Sequence, residues 1–214
     1  MSVPPAVHAV LLPAKPPAVG KSRLLGVSDE GRRELAEAFA LDTARACVAA
    51  ARVARVLVAT DDVRLSHALA RLGCAAIPDG TTSDLNATLR LTAAEARRRW
   101  PDLEPVALCA DLPALRPGDL DAALGALVPG GASFVADADG VGTTLYTAPH
   151  ADFAPSYGEG SREAHLAAGA LEVRGDLVTL RRDVDDLDDL AVALGLGVGP
   201  ATSVAAHRWG LAAG

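Results

Sequence analysis

The two lysines of this chain lie six positions apart in one short segment. Lys15 and Lys21 stand in a Pro- and Gly-containing stretch directly after the first apolar run, and the other eighteen of the 20 basic residues are arginine. A compact ammonium contacts crowded phosphates differently from a planar guanidinium, and a Gly-containing turn between strand and helix can gather amides around an anion. The segment predicts a phosphate-binding loop, with two solvated loop lysines as the alternative.

An aspartate follows a buried apolar run in the middle of the chain. Asp111 follows the predicted strand at 105–109 after one intervening residue, and Pro113 prevents that strand from continuing. A carboxylate at the tip of a strand is a candidate magnesium ligand. The alternative is an aspartate that caps a helix or stabilises a turn.

A second acidic group lies near the C-terminal end of the chain. Asp183 and Asp185 are two positions apart, which in an extended segment puts both on one face. Two carboxylates on one side of a strand repel each other unless a cation or a proton lies between them, so a metal explains the pair better than structure does. Asp186, Asp188 and Asp189 are expected to favour the first turn of the next helix through its dipole.

Two glycine-rich segments and one amide could bind further anions or a nucleoside. In residues 137–144, glycines and threonines lie between predicted strands, and they could hold a phosphate or form a plain hairpin turn. Residues 157–162 start either an anion-binding helix or merely a helix capped by Ser161. Asn86 could contact a base or ribose, or cap its helix.

Nucleophilic catalysis ranks low. The chain has no Gly-x-Ser-x-Gly turn, and four of its histidines belong to no recognisable constellation: His8, His67, His150 and His207.

Composition restricts the class of protein. The 214 residues, half of them hydrophobic, suffice for one sizeable core, and without a repeat or linker we expect one domain over residues 1–214. The net charge of −7 argues against a nucleic-acid partner. We expect no membrane span, and no secretory signal is recognisable. Three scattered cysteines favour neither disulfides nor zinc, so we expect a cytoplasmic protein.

Short β-rich runs alternate with helical patterns along the chain, which predicts an α/β fold with a mixed, mostly parallel sheet flanked by helices. The predicted strands are residues 7–12, 53–59, 75–77, 105–109, 133–136 and 143–147, with a final strand ending near 183–185. The predicted helices are residues 28–50, 61–72, 85–100, 117–127, 161–168 and 186–194. Open α/β sheets bind ligands beyond the carboxyl ends of their strands, so the candidate segments could meet in one crevice.

Six segments, in this order and spacing, resemble the phosphoenolpyruvate or 2-phospho-L-lactate guanylyltransferases of deazaflavin coenzyme F-420 biosynthesis. They are Pro-Ala-Lys-Pro-Pro-Ala-Val-Gly-Lys-Ser-Arg-Leu at 13–24, Leu-Asn at 85–86, Ala-Asp-Leu-Pro-Ala-Leu at 110–115, Phe-Val-Ala-Asp-Ala-Asp-Gly-Val-Gly-Thr at 134–143, Tyr-Gly-Glu-Gly-Ser at 157–161 and Arg-Asp-Val-Asp at 182–185. The resemblance spans about residues 7–205. It implies a Rossmann-like nucleotidyltransferase domain that uses Mg²⁺ to join the GMP part of GTP to the phosphate of a three-carbon acid.

The resemblance also implies roles for individual residues. Lys15, Lys21 and Arg23 match the groups that contact the GTP phosphates, and Asn86 matches the nucleoside side of the pocket. Asp111 and Asp183 match the magnesium ligands, with Asp185 beside them. Thr143, Gly158 and Ser161 match positions that hold the phosphorylated acid.

This chain departs from the family pattern at two positions. Ala110 replaces the usual glycine before the first aspartate, and Val141 replaces a more usual threonine. Two alternatives remain: another nucleotidyltransferase of the same fold, such as the molybdenum cofactor guanylyltransferase, and a nucleotide-binding module without turnover. The three-carbon acid and the oligomeric state, a homodimer for example, stay open.

Overall fold

Strands and helices alternate along most of the chain and build one seven-stranded sheet in its described part. The structure, a computed structural model, describes residues 6–14, 24, 26–80 and 84–211. The strands are β1 (His8–Pro13), β2 (Val53–Ala59), β3 (Ala75–Ile77), β4 (Glu104–Leu108), β5 (Ser133–Ala136), β6 (Thr143–Thr147) and β7 (Leu171–Glu172). The helices are α1 (Asp29–Ala49), α2 (Val63–Arg71), α3 (Leu85–Arg99), α4 (Pro117–Gly125), α5 (Ser161–Ala167), α6 (Val178–Arg181), α7 (Leu187–Leu196) and α8 (Pro200–Arg208).

The strand order brings the ends of several strands to one edge. The order is β3-β2-β1-β4-β6-β5-β7, with β1 parallel to β2 and β4, and with β6 antiparallel to both β4 and β5. Reversal of β6 places its first residue, Thr143, opposite Ala136 at the end of β5. The carboxyl ends of β1, β4 and β5 and the start of β6 therefore share one edge, as the predicted mixed sheet requires.

Helices cover both faces of the sheet, and the side chains of β1 show why. Val10 and Leu12 are buried in a cluster with residues of α1, α2 and α4, whereas Ala9 and Leu11 are buried in a second cluster with residues of α3. Successive side chains of a strand point to opposite faces, so a strand covered on both faces is apolar at nearly every position. The edge formed by the carboxyl ends of β1, β4 and β5 is followed by the loops that carry the candidate site residues.

Most predicted boundaries agree with the structure to within two residues, but the final predicted strand was wrong. Residues 178–181 form the short helix α6, and residues 182–186 are irregular. Leu177 and Leu180, three positions apart, are both buried, which is a helical spacing. Arg181 holds this turn against the sheet because its guanidinium donates to the backbone oxygens of Ala136 and Val173.

The C-terminal region contains a helix for which no pattern was recognised in the sequence. Helix α8 lies against α1, where the buried Asp42 carboxylate accepts hydrogen bonds from the amides of Ala201 and Thr202 at 3.1 and 2.7 Å. These amides belong to the first turn of α8, so a carboxylate distant in sequence caps this helix. No helix in the described part of the chain is long and apolar enough to span a membrane.

Candidate active site

Asp111 lies in a turn whose backbone is fixed from two directions. The Thr43 hydroxyl on α1 accepts from the amide of Leu112 at 3.0 Å, and its oxygen lies 3.3 Å from the backbone oxygen of Ala110. The amide of Val184 donates to the backbone oxygen of Asp111 at 3.1 Å. The last contact brings residues 183–185 beside Asp111, so the two acidic segments predicted to meet do so.

Asp183 and Asp185 flank this contact but differ in their exposure. Asp183 is half-buried, as is Asp111, whereas Asp185 is exposed. Among the described residues no group of three histidine, cysteine or acidic side chains is close enough to hold a metal ion. The structure therefore does not gather Asp111, Asp183 and Asp185 into one cluster of three, and the role of Asp185 as a ligand stays a prediction.

Hard oxygen donors of this kind suit Mg²⁺. In proteins this ion is commonly held by one or two carboxylates, with water and substrate phosphates completing its coordination. Asp111 and Asp183 are two such carboxylates, brought near each other by the backbone contact between Asp111 and Val184, and their role as magnesium ligands stays a prediction. Neither aspartate is the N-cap of a neighbouring helix, because α4 follows Arg116 and α7 follows Asp186.

The more C-terminal aspartates have the structural role expected of them. Asp186 accepts from the amides of Asp188 and Asp189, and the Asp189 carboxylate accepts in return from the amide of Asp186. This reciprocal arrangement is a capping box at the start of α7.

The three basic residues assigned to the GTP phosphates lie outside the described residues. Lys15, Lys21 and Arg23 follow β1, whose carboxyl end is at the same edge of the sheet as that of β4. Their phosphate-binding roles stay predictions.

The glycine-rich loop before β6 presents its amides to an anion, but that anion is a side chain of the loop itself. The Asp137 carboxylate accepts from the amides of Val141 and Gly142 at 3.0 and 2.7 Å. A Cβ added at Gly142 would come within 2.3 Å of that carboxylate, so glycine is needed there for close approach. The loop is thus an internally capped turn, and it delivers Thr143 to the site edge.

The segment at 156–161 begins α5 differently from the sequence expectation. The N-cap is Gly160, in the left-handed conformation at φ 67°, and Ser161 is the first helical residue, so the expected capping role of Ser161 was wrong. Ser161 is buried, and its amide donates to the oxygen of Gly158 at 3.1 Å. Gly158 is exposed with a φ of 132°, which a side chain would strain.

Asn86 joins α3 to this segment. Its side-chain oxygen accepts from the amide of Tyr157 at 2.7 Å, and its nitrogen donates to the oxygen of Tyr157 at 2.9 Å. Asp84, not Asn86, caps α3, which corrects the capping alternative. The side-chain nitrogen of Asn86 has a second hydrogen that could still be donated to a nucleoside, so the predicted nucleoside contact is compatible with these two bonds and stays a prediction.

Tyr157 connects the same segment to β4, the strand that precedes the turn of Asp111. Its hydroxyl donates to the oxygen of Ala107 in β4 at 3.1 Å. Burial raises the pKa of Tyr157 well above its usual value, and smaller contributions come from Cys109 and Asp111. The tyrosine is therefore a neutral hydrogen-bond donor at physiological pH.

His165 occupies the centre of a buried aromatic group and has no exposed surface. Its ring stacks on Tyr146, with centroids 4.6 Å apart, and also contacts Phe134 and Tyr157. Burial lowers its pKa to about 4, although a hydrogen bond to the Ser161 backbone works in the opposite direction. The imidazole is therefore neutral at physiological pH.

Three side chains have roles at this edge that were not predicted from the sequence. Thr43 binds the backbone of the Asp111 turn, Asp137 caps the loop before β6, and His165 lies at the centre of the aromatic group. His165 had a signal that could have been used, because it lies four positions after Ser161 and so shares a helical face with it. Thr43 had none, since its partners lie 67 and 69 positions away in sequence.

Comparison with curated proteins shows the family to which this chain belongs. The chain is 46% identical over 202 residues to the phosphoenolpyruvate guanylyltransferase of Thermomonospora curvata, covering 94% of this chain and 89% of that protein. It is also 46% identical over 202 residues to the protein of the same name from Streptomyces coelicolor, covering 93% and 95%. The chain belongs to the phosphoenolpyruvate guanylyltransferase family. The resemblance inferred from six short segments is thereby confirmed.

Solved structures agree on the fold at lower identity. A putative nucleotide-diphospho-sugar transferase from Desulfovibrio desulfuricans superposes with a TM-score of 0.70 at 17% identity, covering 95% of this chain and 96% of that one. A nucleotidyl transferase from Methanothermobacter thermautotroptrophicus gives 0.59 at 18% identity, covering 89% and 97%. The Rossmann-like nucleotidyltransferase fold is confirmed. No protein-family model matches the chain.

Proposed function

We propose that this protein transfers the GMP part of GTP to the phosphate of phosphoenolpyruvate and releases pyrophosphate. The observation that carries the proposal is the junction of Asp111 with residues 183–185, in a chain whose relatives are named phosphoenolpyruvate guanylyltransferases. The resemblance to the guanylyltransferases of deazaflavin coenzyme F-420 biosynthesis implies that the product is an intermediate of that pathway. 2-Phospho-L-lactate is the second candidate acid, since it differs only by the absence of the double bond.

The reaction is an in-line displacement at the α-phosphorus of GTP. A phosphate oxygen of the acid forms the new P–O bond, and the bond from the α-phosphorus to the bridging oxygen of the β-phosphate breaks, so pyrophosphate leaves with that electron pair. The attacking oxygen is already anionic at neutral pH, and a strong general base is therefore unnecessary. The main barrier is the repulsion between two anions, and positioning and electrostatics must reduce it.

Asp111 and Asp183 would hold Mg²⁺, which when bound neutralises the approaching anionic oxygens. The carboxylates themselves are placed by backbone contacts, with Thr43 and Val184 fixing the turn. Lys21 and Arg23 are assigned to the pyrophosphate leaving group, and Lys15 to the GTP phosphates.

The acid is assigned to the other side of the crevice. Thr143, Gly158 and Ser161 offer hydroxyls and backbone amides to its phosphate, and these donors suffice for a small anion. Asn86, which is assigned to the nucleoside, joins this side to α3. The division predicts that the two substrates use separate donors.

The function is tested by incubating the purified protein with GTP, Mg²⁺ and each of three acids: phosphoenolpyruvate, 2-phospho-L-lactate and 3-phosphoglycerate. Pyrophosphate release is expected with phosphoenolpyruvate and should require both GTP and Mg²⁺. Release with none of the acids would contradict the proposal and favour a binding module without turnover. A preference for 2-phospho-L-lactate would keep the reaction and change the acid.

A further inference from the structure

Both ring nitrogens of the buried His165 have hydrogen-bond partners from different segments. Nδ1 lies 3.0 Å from the hydroxyl oxygen of Thr143, and Nε2 accepts from the backbone amide of Ser156, also at 3.0 Å. Thr143 begins β6, and Ser156 belongs to the loop that precedes α5. One imidazole therefore bridges two segments that are assigned to the phosphorylated acid.

The partner of Nε2 determines where the ring proton is. A backbone N–H can only donate, so Nε2 must be the unprotonated, accepting nitrogen. In a neutral imidazole the proton is then on Nδ1, which makes Nδ1 a donor toward Thr143.

This tautomer determines what the Thr143 hydroxyl can do. A hydroxyl has one proton and two lone pairs. Because its oxygen accepts the Nδ1 proton, its own proton is not used on His165 and can be donated to an anionic ligand. Stacking on Tyr146 keeps the imidazole from rotating away from this alignment.

We propose that His165 is a positioning residue for the phosphorylated acid, which it serves by holding the Thr143 hydroxyl as a hydrogen-bond donor toward the phosphate of that acid. The role rests on the proposed function, because it requires that Thr143 contact the acid. His165 itself does not touch the substrate. It acts through Thr143, and through Ser156 it keeps the acid-binding loop in register with β6.

Two variants separate the two ring nitrogens. In His165→Asn the side-chain amide nitrogen can take the place of Nδ1 and donate to Thr143, whereas in His165→Gln the amide oxygen can take the place of Nε2 and accept from Ser156. We expect His165→Gln to raise the KM for phosphoenolpyruvate about tenfold, the scale of one hydrogen bond to a charged group, with the KM for GTP unchanged. His165→Asn should be the less impaired variant, although it loses the contact with Ser156.

A double-mutant cycle tests whether the effect passes through Thr143. Thr143→Val, which removes the hydroxyl, should also raise the KM for phosphoenolpyruvate. If His165 acts through that hydroxyl, adding His165→Gln to Thr143→Val should raise the KM little further. Independent effects that multiply in the double variant would overturn the role of His165, as would an equal rise in the KM for GTP or a His165→Asn variant more impaired than His165→Gln.

A measurement on the unaltered protein covers the case in which the variants do not fold. Imidazole ¹⁵N NMR at neutral pH should show one histidine with a protonated Nδ1 and an unprotonated Nε2 that retains its state when the pH is lowered to about 5. The opposite tautomer at His165 would overturn the proposal. Absence of wild-type turnover with either acid would overturn the proposed function and this role together, whereas normal turnover with multiplicative effects would overturn the role of His165 alone.

Discussion

The carboxylate of Asp111 illustrates how far a single residue can be interpreted from sequence. Its position after an apolar run followed by proline was enough to predict a strand-tip carboxylate, because such a position depends only on local residues. The partners that hold its backbone, Thr43 and Val184, are distant in sequence and could not be predicted from spacing. The ligand role of Asp111 is thus predicted from its residue type and position, whereas the contacts that fix its backbone arise only in the fold.

The first residue-scale prediction concerns the two proposed metal ligands. Asp111→Asn and Asp183→Asn should each lose nearly all turnover while remaining folded, because an amide cannot supply the anionic charge that Mg²⁺ requires. Asp188→Asn is the matched control, since Asp188 is exposed in the first turn of α7 and should be replaceable. Steady-state rates of the three variants measure the loss of turnover, and their thermal midpoints show whether they remain folded. Turnover near the wild-type rate in a folded Asp111 or Asp183 variant would remove that residue from the mechanism.

The second prediction uses the scarcity of lysine. Lys21→Arg keeps the charge but replaces a compact ammonium with a wide planar fork, so guanylyl transfer should slow about tenfold or more if Lys21 contacts the phosphates. The rate is measured by pyrophosphate release at saturating substrates. Unchanged kinetics would return Lys21 to the class of solvated loop lysines.

At the scale of elements, the loops depart from expectation more than the strands and helices do. The alternation of apolar runs predicted β2, β3, β5 and β6 to the residue, since each is a short run with its own boundaries. The glycine-rich loop before β6 was predicted as an anion site or a plain turn, and it is a turn capped by its own Asp137. Local sequence cannot distinguish an internal carboxylate from an external phosphate, because backbone amides bind both.

An element-scale prediction tests the contact between α1 and the turn of Asp111. Thr43→Val should lower kcat several-fold, because it removes the hydroxyl that fixes the turn at 110–112 while leaving a side chain of similar volume. Thr92→Val is the matched control. Thr92 is equally buried in a helix, and its hydroxyl donates to the oxygen four residues earlier, as that of Thr43 also does.

The two threonine variants are compared by kcat and by unfolding in urea. Similar losses of stability with a fall in kcat only for Thr43→Val would support the account. An equal fall in kcat for both variants would mean that general loosening, and not the turn, explains the effect.

At the scale of the whole molecule, the α/β class and the mixed sheet were predictable, whereas the C-terminal region was not. Helix α8 is rich in alanine and has no strong amphipathic pattern in sequence, and its first turn is capped by Asp42 from α1. The final predicted strand was wrong because a short apolar run of four to eight residues is compatible with strand or helix. The structure of α8 and of residues 178–186 depends on tertiary contacts, which the local sequence does not contain.

A whole-molecule prediction follows from the buried histidine. Because the pKa of His165 falls from 6.5 to about 4 on folding, its neutral form favours the folded state. That contribution to the unfolding free energy is fully present above pH 6.5 and is lost as the pH falls toward 4. Tyr146 and Tyr157, which face the ring, have raised pKa values and stay neutral over this range.

Urea unfolding of the wild type and of His165→Asn at several pH values between about 7 and 4 measures this contribution. The wild type should lose more stability than the variant over the interval, because both proteins keep the buried His8 but only the wild type must also protonate an imidazole at position 165. Parallel losses in the two proteins would contradict the assignment of the pH dependence to His165.

The most direct test of the central claim follows the phosphorus atoms of GTP. GTP labelled at the α-phosphorus, incubated with the protein, Mg²⁺ and phosphoenolpyruvate, should give a labelled guanylylated acid, whereas GTP labelled at the γ-phosphorus should give labelled pyrophosphate and an unlabelled acid product. Label from the γ-phosphorus in the acid, or no labelled acid from either nucleotide, would contradict guanylyl transfer by this protein.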